Sequence, residues 1–185
     1  MLLVYYGRMV IWLTGLSGAG KTTLAHDIRD ILATRHRQVA LVDDDACFAR
    51  QDDDHGPSES AWFNHTEKVQ ALAKELADQG NWVLVTSIYN HPDLLEWNRA
   101  HIPSYFEVLV DVPLELARKR DPHGLYADFA AGRIKHLIGL DIPFHRPAQP
   151  DLVLDAAREE PPEQGVLRII TAVPGLGGPI RNAAA

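Results

Sequence analysis

Cysteine is almost missing from this chain: Cys47 is the one thiol in 185 residues. A single cysteine excludes an internal disulfide framework and fits a reducing compartment, so a cytoplasmic setting is expected. No local arrangement marks Cys47 as a nucleophile, and it reads as an ordinary buried thiol. Basic residues are also in short supply. Lys and Arg number 18 against 25 Asp and Glu, a formal charge of −7. That balance speaks against a nucleic-acid partner, because a phosphate backbone needs a basic face. No apolar run is long enough to span a bilayer, so no membrane partner is expected. The apolar start at 1–8 is short and lacks a basic opening, and it reads as an extension before Met9 rather than a signal peptide. No segment repeats. Nine histidines are present, but His123, His136 and His145 are scattered, without the tight pairs of a zinc site.

What the chain does have is a core and a loop. Apolar residues make up 46% of it, enough for one sizeable domain over 1–172. Residues 15–23 read Gly-Leu-Ser-Gly-Ala-Gly-Lys-Thr-Thr, a complete phosphate-binding P-loop, with an apolar run at 10–13 before it and a helical stretch at 23–32 after it. Gly15, Gly18 and Gly20 let the backbone turn tightly and aim its N–H groups at a phosphate. Ser17, Ala19 and Thr23 complete the cradle, and the helix that follows adds its positive end. Lys21 reaches the terminal phosphates, and the Thr22 hydroxyl holds Mg²⁺. The expectation is a protein that binds ATP or GTP.

Short apolar runs alternate with helical patterns. Strands are expected at 10–13, 39–42, 82–85, 106–110 and 152–154. A helix is expected at 66–79, ended by Gly80, and another from Leu114 to Arg120. Strands alternating with helices specify an α/β fold of three layers: a central parallel sheet with helices on both faces, as in P-loop kinases. Ligands of such folds bind beyond the carboxyl ends of the strands, which brings the P-loop, Asp43–Asp45 and Thr86-Ser87 to one site. Residues 51–60, acidic with Gly and Pro, read as a loop at the rim. Residues 121–150, rich in Gly, Pro and His, read as a closing lid. Residues 173–185 read as a mobile tail.

Asp43 and Asp45 follow the second strand. One of them binds Mg²⁺ through water or takes the proton of an attacking hydroxyl, and the residue types do not separate the two roles. Of the basic run Arg118, Lys119 and Arg120, one side chain is expected to stabilise the transferring phosphoryl group. Arg120, which borders the lid, is the choice, with Arg118 beside it at the nucleotide.

These residues resemble a family, the adenylylsulfate kinases, which transfer the γ-phosphate of ATP to the 3′-hydroxyl of adenylylsulfate. Residues 11–25 are similar to its P-loop. The runs 120–126 (Arg-Asp-Pro-His-Gly-Leu-Tyr), 131–135 (Ala-Gly-Arg-Ile-Lys), 139–144 (Gly-Leu-Asp-Ile-Pro-Phe) and 150–155 (Pro-Asp-Leu-Val-Leu-Asp) are similar to its second half. The resemblance covers about 10–170 and implies the P-loop kinase fold, ATP with Mg²⁺, and a homodimer.

The middle departs from the family. Its Asp-Gly-Asp-Asn-x-Arg stands here as Asp43-Asp44-Asp45-Ala46-Cys47-Phe48, without the Asn and Arg that hold adenylylsulfate. Where the family has a stacking Phe and a gripping Arg, this chain has Pro57 and Trp62, with His65 and Thr66 following. A second stacking Phe becomes Leu137, after Lys135, and Ser-Pro-Tyr-Arg after strand three becomes Tyr89-Asn90-His91-Pro92. Acids have gathered nearby: Asp44, Asp52, Asp53, Asp54, Glu59 and Glu67. A phosphosulfate needs guanidinium forks and is repelled by carboxylates. The expected acceptor is therefore a neutral or cationic hydroxyl compound, such as an amino sugar, aminocyclitol or aminoglycoside. It would be held by Asp43, Asp45, Phe48, Trp62, His65, Ser87, Tyr89, Lys135 and Leu137. Adenylylsulfate itself, a nucleotide diphosphoramidate, and a non-catalytic ATP-binding regulator are the other readings.

Overall fold

The computed structural model of the chain describes residues 8–35, 37–43, 48–49, 56–157 and 161–176. Asp45, Cys47, the acids Asp44, Asp52, Asp53 and Asp54, and residues 177–185 of the expected tail lie outside the described residues. Five parallel strands form one sheet in the order β2-β3-β1-β4-β5: β1 Met9–Thr14, β2 Val39–Val42, β3 Trp82–Ser87, β4 Tyr105–Asp111 and β5 Leu152–Asp155. All five were expected from their apolar runs. Every residue of β1 and β3 is buried, which is why these runs are apolar without alternation: a strand covered on both faces has no wet side. β2, at one edge, is half-buried along its length.

Helices α1 Lys21–Thr34, α2 Glu59–Asp78, α3 Pro92–His101, α4 Leu114–Arg120, α5 Leu125–Ala130 and α6 Pro162–Ala172 cover the sheet. Successive strand residues point to opposite faces. Ile11, Leu13 and Leu84 therefore join Leu24, Ile28 and Ile169 in one core. Val10, Trp12, Val83 and Val85 meet Val69, Ala73 and Ala77 in the other. A buried polar chain ties the second layer to the sheet. The Gln70 amide donates to Asn98 Oδ1 (2.9 Å), and Tyr105 donates to Glu107 Oε2 (2.9 Å). Arg99 then pairs with Asp151 (3.2 Å). Among the described residues no helix is long and apolar enough to cross a membrane.

Three expectations need correction. α2 begins at Glu59, seven residues before the apolar face at 66–79, so the last residues of the expected rim loop are helical. Ser58 caps the helix by accepting from the Ala61 N–H (3.3 Å), with Glu59 in the first turn, so the polar stretch is a helix start. The lid region contains α5, capped by Asp121, whose carboxylate accepts from the Tyr126 and Ala127 N–H groups (3.1 and 2.9 Å). The tail does not begin at 173. Val173 and Leu176 are buried, and Arg35 donates to the Leu176 carbonyl.

Candidate active site

β1 lies between β3 and β4 with Thr14 in register with Ser87 and Leu109, and the chain leaves it at Gly15. The Gly15 N–H donates to the Ser87 carbonyl (3.3 Å). A Cβ on Gly15 would stand 2.4 Å from the Val110 carbonyl oxygen, so only glycine passes here. The loop delivers Gly20 to the start of α1, where no side chain caps the helix; its first N–H groups are left for an anion. Lys21 is 7% exposed, and its ammonium donates to the Gly15 and Leu16 carbonyls (2.9 and 3.2 Å). The charge is held at the loop on backbone dipoles, which soften the cost of burying it. Thr22 and Thr23 are exposed at the head of the helix, Ser17 and Ala19 are buried within the turn, and Gly18 is half-buried there.

The segment expected as a lid is fastened to this loop. Tyr126 donates its hydroxyl to the Ser17 carbonyl (3.2 Å), and burial, with the Asp121 charge nearby, pushes its phenol up to about 12. Asp141 accepts from the His136 and Leu137 N–H groups (2.7 and 2.6 Å), fixing the turn between them. Arg146 reaches Asp111 at the end of β4 (2.7 Å).

Arg120 bridges two walls. Its guanidinium donates to the Gly18 carbonyl (3.3 Å) and to the Ala156 carbonyl beyond β5 (2.9 Å). It borders a cavity of about 230 Å³ beside the P-loop, formed also by Gly20, Thr23, Asp155, Pro161, Gly165 and Arg168. The cavity is mostly apolar with polar edges and suits a flat heteroaromatic base. Sequence reasoning missed Asp155, Ala156, Gly165 and Arg168. They come from the end of β5, the residue after it and α6, far from the P-loop along the chain; Asp155 closes a run that resembles the family, but nothing in that run marked it as a nucleotide contact. Arg118 is exposed and stands 4.0 Å from Glu115 of its own helix.

On the other side, Asp43 is exposed at the end of β2 and accepts from the buried Thr86 hydroxyl (2.6 Å). Ser87 is buried and donates to the Tyr89 carbonyl (3.1 Å). Phe48 stacks on His65 (centroids 3.8 Å apart) and meets the edge of Trp62 (4.8 Å); Trp62 lies over Tyr89 (6.4 Å). Tyr89 approaches Glu59 Oε1 (3.4 Å), and burial and that carboxylate push its phenol up to about 12. Phe48, Trp62, His65, Ser87 and Tyr89 are thus brought together. Leu137 is not at an open wall: it is 2% exposed and belongs to the main core. Lys135 is exposed, its carbonyl packed close to Gly56. Among the described residues no three His, Cys, Asp or Glu side chains converge on a point that could hold a metal ion. The residues present fit Mg²⁺ held through nucleotide phosphates: the Thr22 hydroxyl and the Asp43 carboxylate are exposed oxygen groups of the kind that ion takes.

The model of the adenylylsulphate kinase family matches residues 7–155. The chain is 36% identical over 151 residues to the probable adenylyl-sulfate kinase of Archaeoglobus fulgidus, covering 82% of this chain and 97% of that one. It is 34% identical over 164 residues to the adenylyl-sulfate kinase of Pseudomonas aeruginosa, covering 88% and 83%. A solved structure, the Mycobacterium tuberculosis APS kinase in complex with AMPPNP and APS, matches with a TM-score of 0.77 and 30% identity, covering 89% of this chain and 96% of that one.

Proposed function

The chain belongs to the adenylylsulphate kinase family of ATP-dependent phosphotransferases, and from that premise we propose that it phosphorylates a hydroxyl of adenylylsulfate. The observation that carries this reading is likeness over nearly whole chains to relatives named adenylyl-sulfate kinase. The expected preference for an amino sugar has no such support among them.

In this mechanism the P-loop N–H groups and Lys21 hold the β- and γ-phosphates, and the base enters the cavity beside Gly165 and Arg168. Thr22 and Asp43 would hold Mg²⁺, which neutralises phosphate charge when bound. The acceptor oxygen forms a bond to the γ-phosphorus as the bond from that phosphorus to the bridging oxygen of ADP breaks. The hydroxyl proton passes to an aspartate after β2, Asp43 or Asp45. Arg120, close to the P-loop, stabilises the charge on the phosphoryl group in flight. Positioning and charge account for most of such catalysis. A homodimer belongs to the same reading.

A second acceptor class is favoured by one observation. The acceptor wall carries Trp62 where the family has a gripping arginine, and Glu59 stands 3.4 Å from the Tyr89 hydroxyl and 3.9 Å from His145 Nε2. A carboxylate there would repel a phosphosulfate and attract an amine. ADP release measured with adenylylsulfate and with amino sugars, together with the product's mass gain of one phosphate, decides between them. Turnover confined to adenylylsulfate supports the first reading, and turnover confined to amino sugars replaces it with the second. No acceptor-dependent ADP release would leave a nucleotide-binding regulator.

A further inference from the structure

Thr86 is the last residue but one of β3 and stands in register with Leu13 of β1. Its side chain therefore shares a face of the sheet with Leu13 and Leu84, both in the main core. A hydroxyl in that place, 2% exposed, costs free energy unless it is bonded. Its partner comes from the neighbouring strand. Val42, the last residue of β2, pairs with Val85, so Asp43 leaves the sheet opposite Thr86. The hydroxyl donates to Asp43 Oδ1 at 2.6 Å, a short bond of the charge-assisted kind. Asp43 itself is exposed at the end of an edge strand, where an unheld carboxylate turns among several rotamers. The next residue of β3 holds the other half of the site: the Ser87 carbonyl receives the Gly15 N–H at the entry to the P-loop (3.3 Å). Two successive residues of one buried strand thus set the span between the Asp43 carboxylate and the phosphate loop.

We propose that Thr86 is a positioning residue for phosphoryl transfer: by holding Asp43 Oδ1 it presents the second carboxylate oxygen, in one orientation, to the reacting hydroxyl. Thr86 touches no substrate in this role and acts through Asp43. A carboxylate with one oxygen fixed keeps the other as an acceptor, and the fixed oxygen decides where the other stands. Displacing such a group by about 1 Å costs on the order of 10²-fold in rate. A bond that only clipped the end of β2 to its neighbour would act on the melting temperature and spare kcat. The proposal rests on the kinase reading of the site, with Asp43 as the acid that serves the acceptor, and it is the same for either acceptor class.

The test is steady-state kinetics with ATP and adenylylsulfate on wild type, Thr86→Val, Thr86→Ser, Asp43→Ala and the double variant Asp43→Ala with Thr86→Val. Thr86→Val keeps the shape and removes the hydroxyl. It should lower kcat at least about tenfold and leave KM for ATP within about twofold. Its melting temperature should move by no more than about 4 °C, the effect of one hydrogen bond in a chain of this size. Thr86→Ser keeps the hydroxyl and should hold kcat within about threefold of wild type. With Asp43→Ala in place, Thr86→Val should lower kcat no further, because two residues acting as one unit do not add. Thr86→Ala carries the test should Thr86→Val fail to fold. Unchanged kcat in Thr86→Val, an equal loss in Thr86→Ser, a loss in KM for ATP instead of kcat, or additive losses in the double variant overturns the proposal, while wild-type turnover of adenylylsulfate leaves that reading standing. A wild type that does not turn over adenylylsulfate ends the adenylylsulfate reading instead. The same comparison then runs on basal ATP hydrolysis, with water in the acceptor's place: a loss of about tenfold in Thr86→Val supports the proposal, and equal rates, or none in wild type, overturn it.

Discussion

Lys21 does its work from inside the loop it belongs to. Its ammonium already rests on two carbonyls of the P-loop, so its position is set before a phosphate arrives. Lys21→Ala should lower phosphoryl transfer by about 10²–10³-fold, the loss that follows removal of one preorganised charge-stabilising donor. It should cost only about 1 kcal/mol in folding, since the carbonyls lose one ligand each. Turnover kinetics and a thermal melt on the same sample check both halves. Gly15 has the opposite profile. Its absent Cβ would collide with the Val110 carbonyl oxygen, so Gly15→Ala should destabilise the domain by about 1–3 kcal/mol as well as reduce activity. A Cβ on Gly165, inside α6, would stand 3.1 Å from Leu24 Cδ2, a tight contact at the end of a flexible side chain. Gly165→Ala should raise KM for ATP about threefold or more by narrowing the base cavity, while the melting temperature holds or rises because alanine favours the helix.

At the scale of elements, the attachment of α5 to the P-loop is the part most open to test. Tyr126 joins α5 to Ser17 through one hydroxyl. The folded chain keeps that proton to about 12, whereas an unfolded tyrosine releases it near 10. The contribution is therefore complete below about pH 10 and is lost as pH rises toward 12. Tyr126→Phe should remove this alkaline loss, lower stability at neutral pH by about 1 kcal/mol and raise KM for ATP; denaturant melts across the alkaline range check it. The strands were legible because buried parallel strands are written as unbroken apolar runs, Val10 to Leu13 among them. α4 was legible from its proline start. The first two turns of α2 were not, because a cap such as Ser58 followed by Glu59 and Ser60 has the composition of a loop. The cavity beside the P-loop was not legible either: Ala156 and Gly165 line it only because β5 and α6 come alongside the P-loop. Leu137 was read as an acceptor contact from its place in a motif, but a buried leucine follows the core.

Over the whole molecule, pH should act at a point remote from the chemistry. Glu107 is 1% exposed in β4, and burial lifts its carboxyl above the usual range despite Tyr105 and Arg99. The folded chain thus holds a proton that the unfolded chain has released. Stability is greatest below the unfolded value and falls as pH rises through the folded one. Glu107→Gln should flatten that slope on the alkaline side of the unfolded value of about 4, measured by urea titration at a series of pH values. The order of the strands has a further consequence. The donor half of the site hangs from β1, in the middle of the sheet, where Gly15 is wedged against the end of β4. The side proposed for the acceptor begins beyond β2, an edge strand with one neighbour. Alterations at the centre endanger folding itself, and alterations at the margin endanger it less. A chain built on this sheet can vary beyond its edge strand at less risk to the fold than it can vary in its phosphate loop.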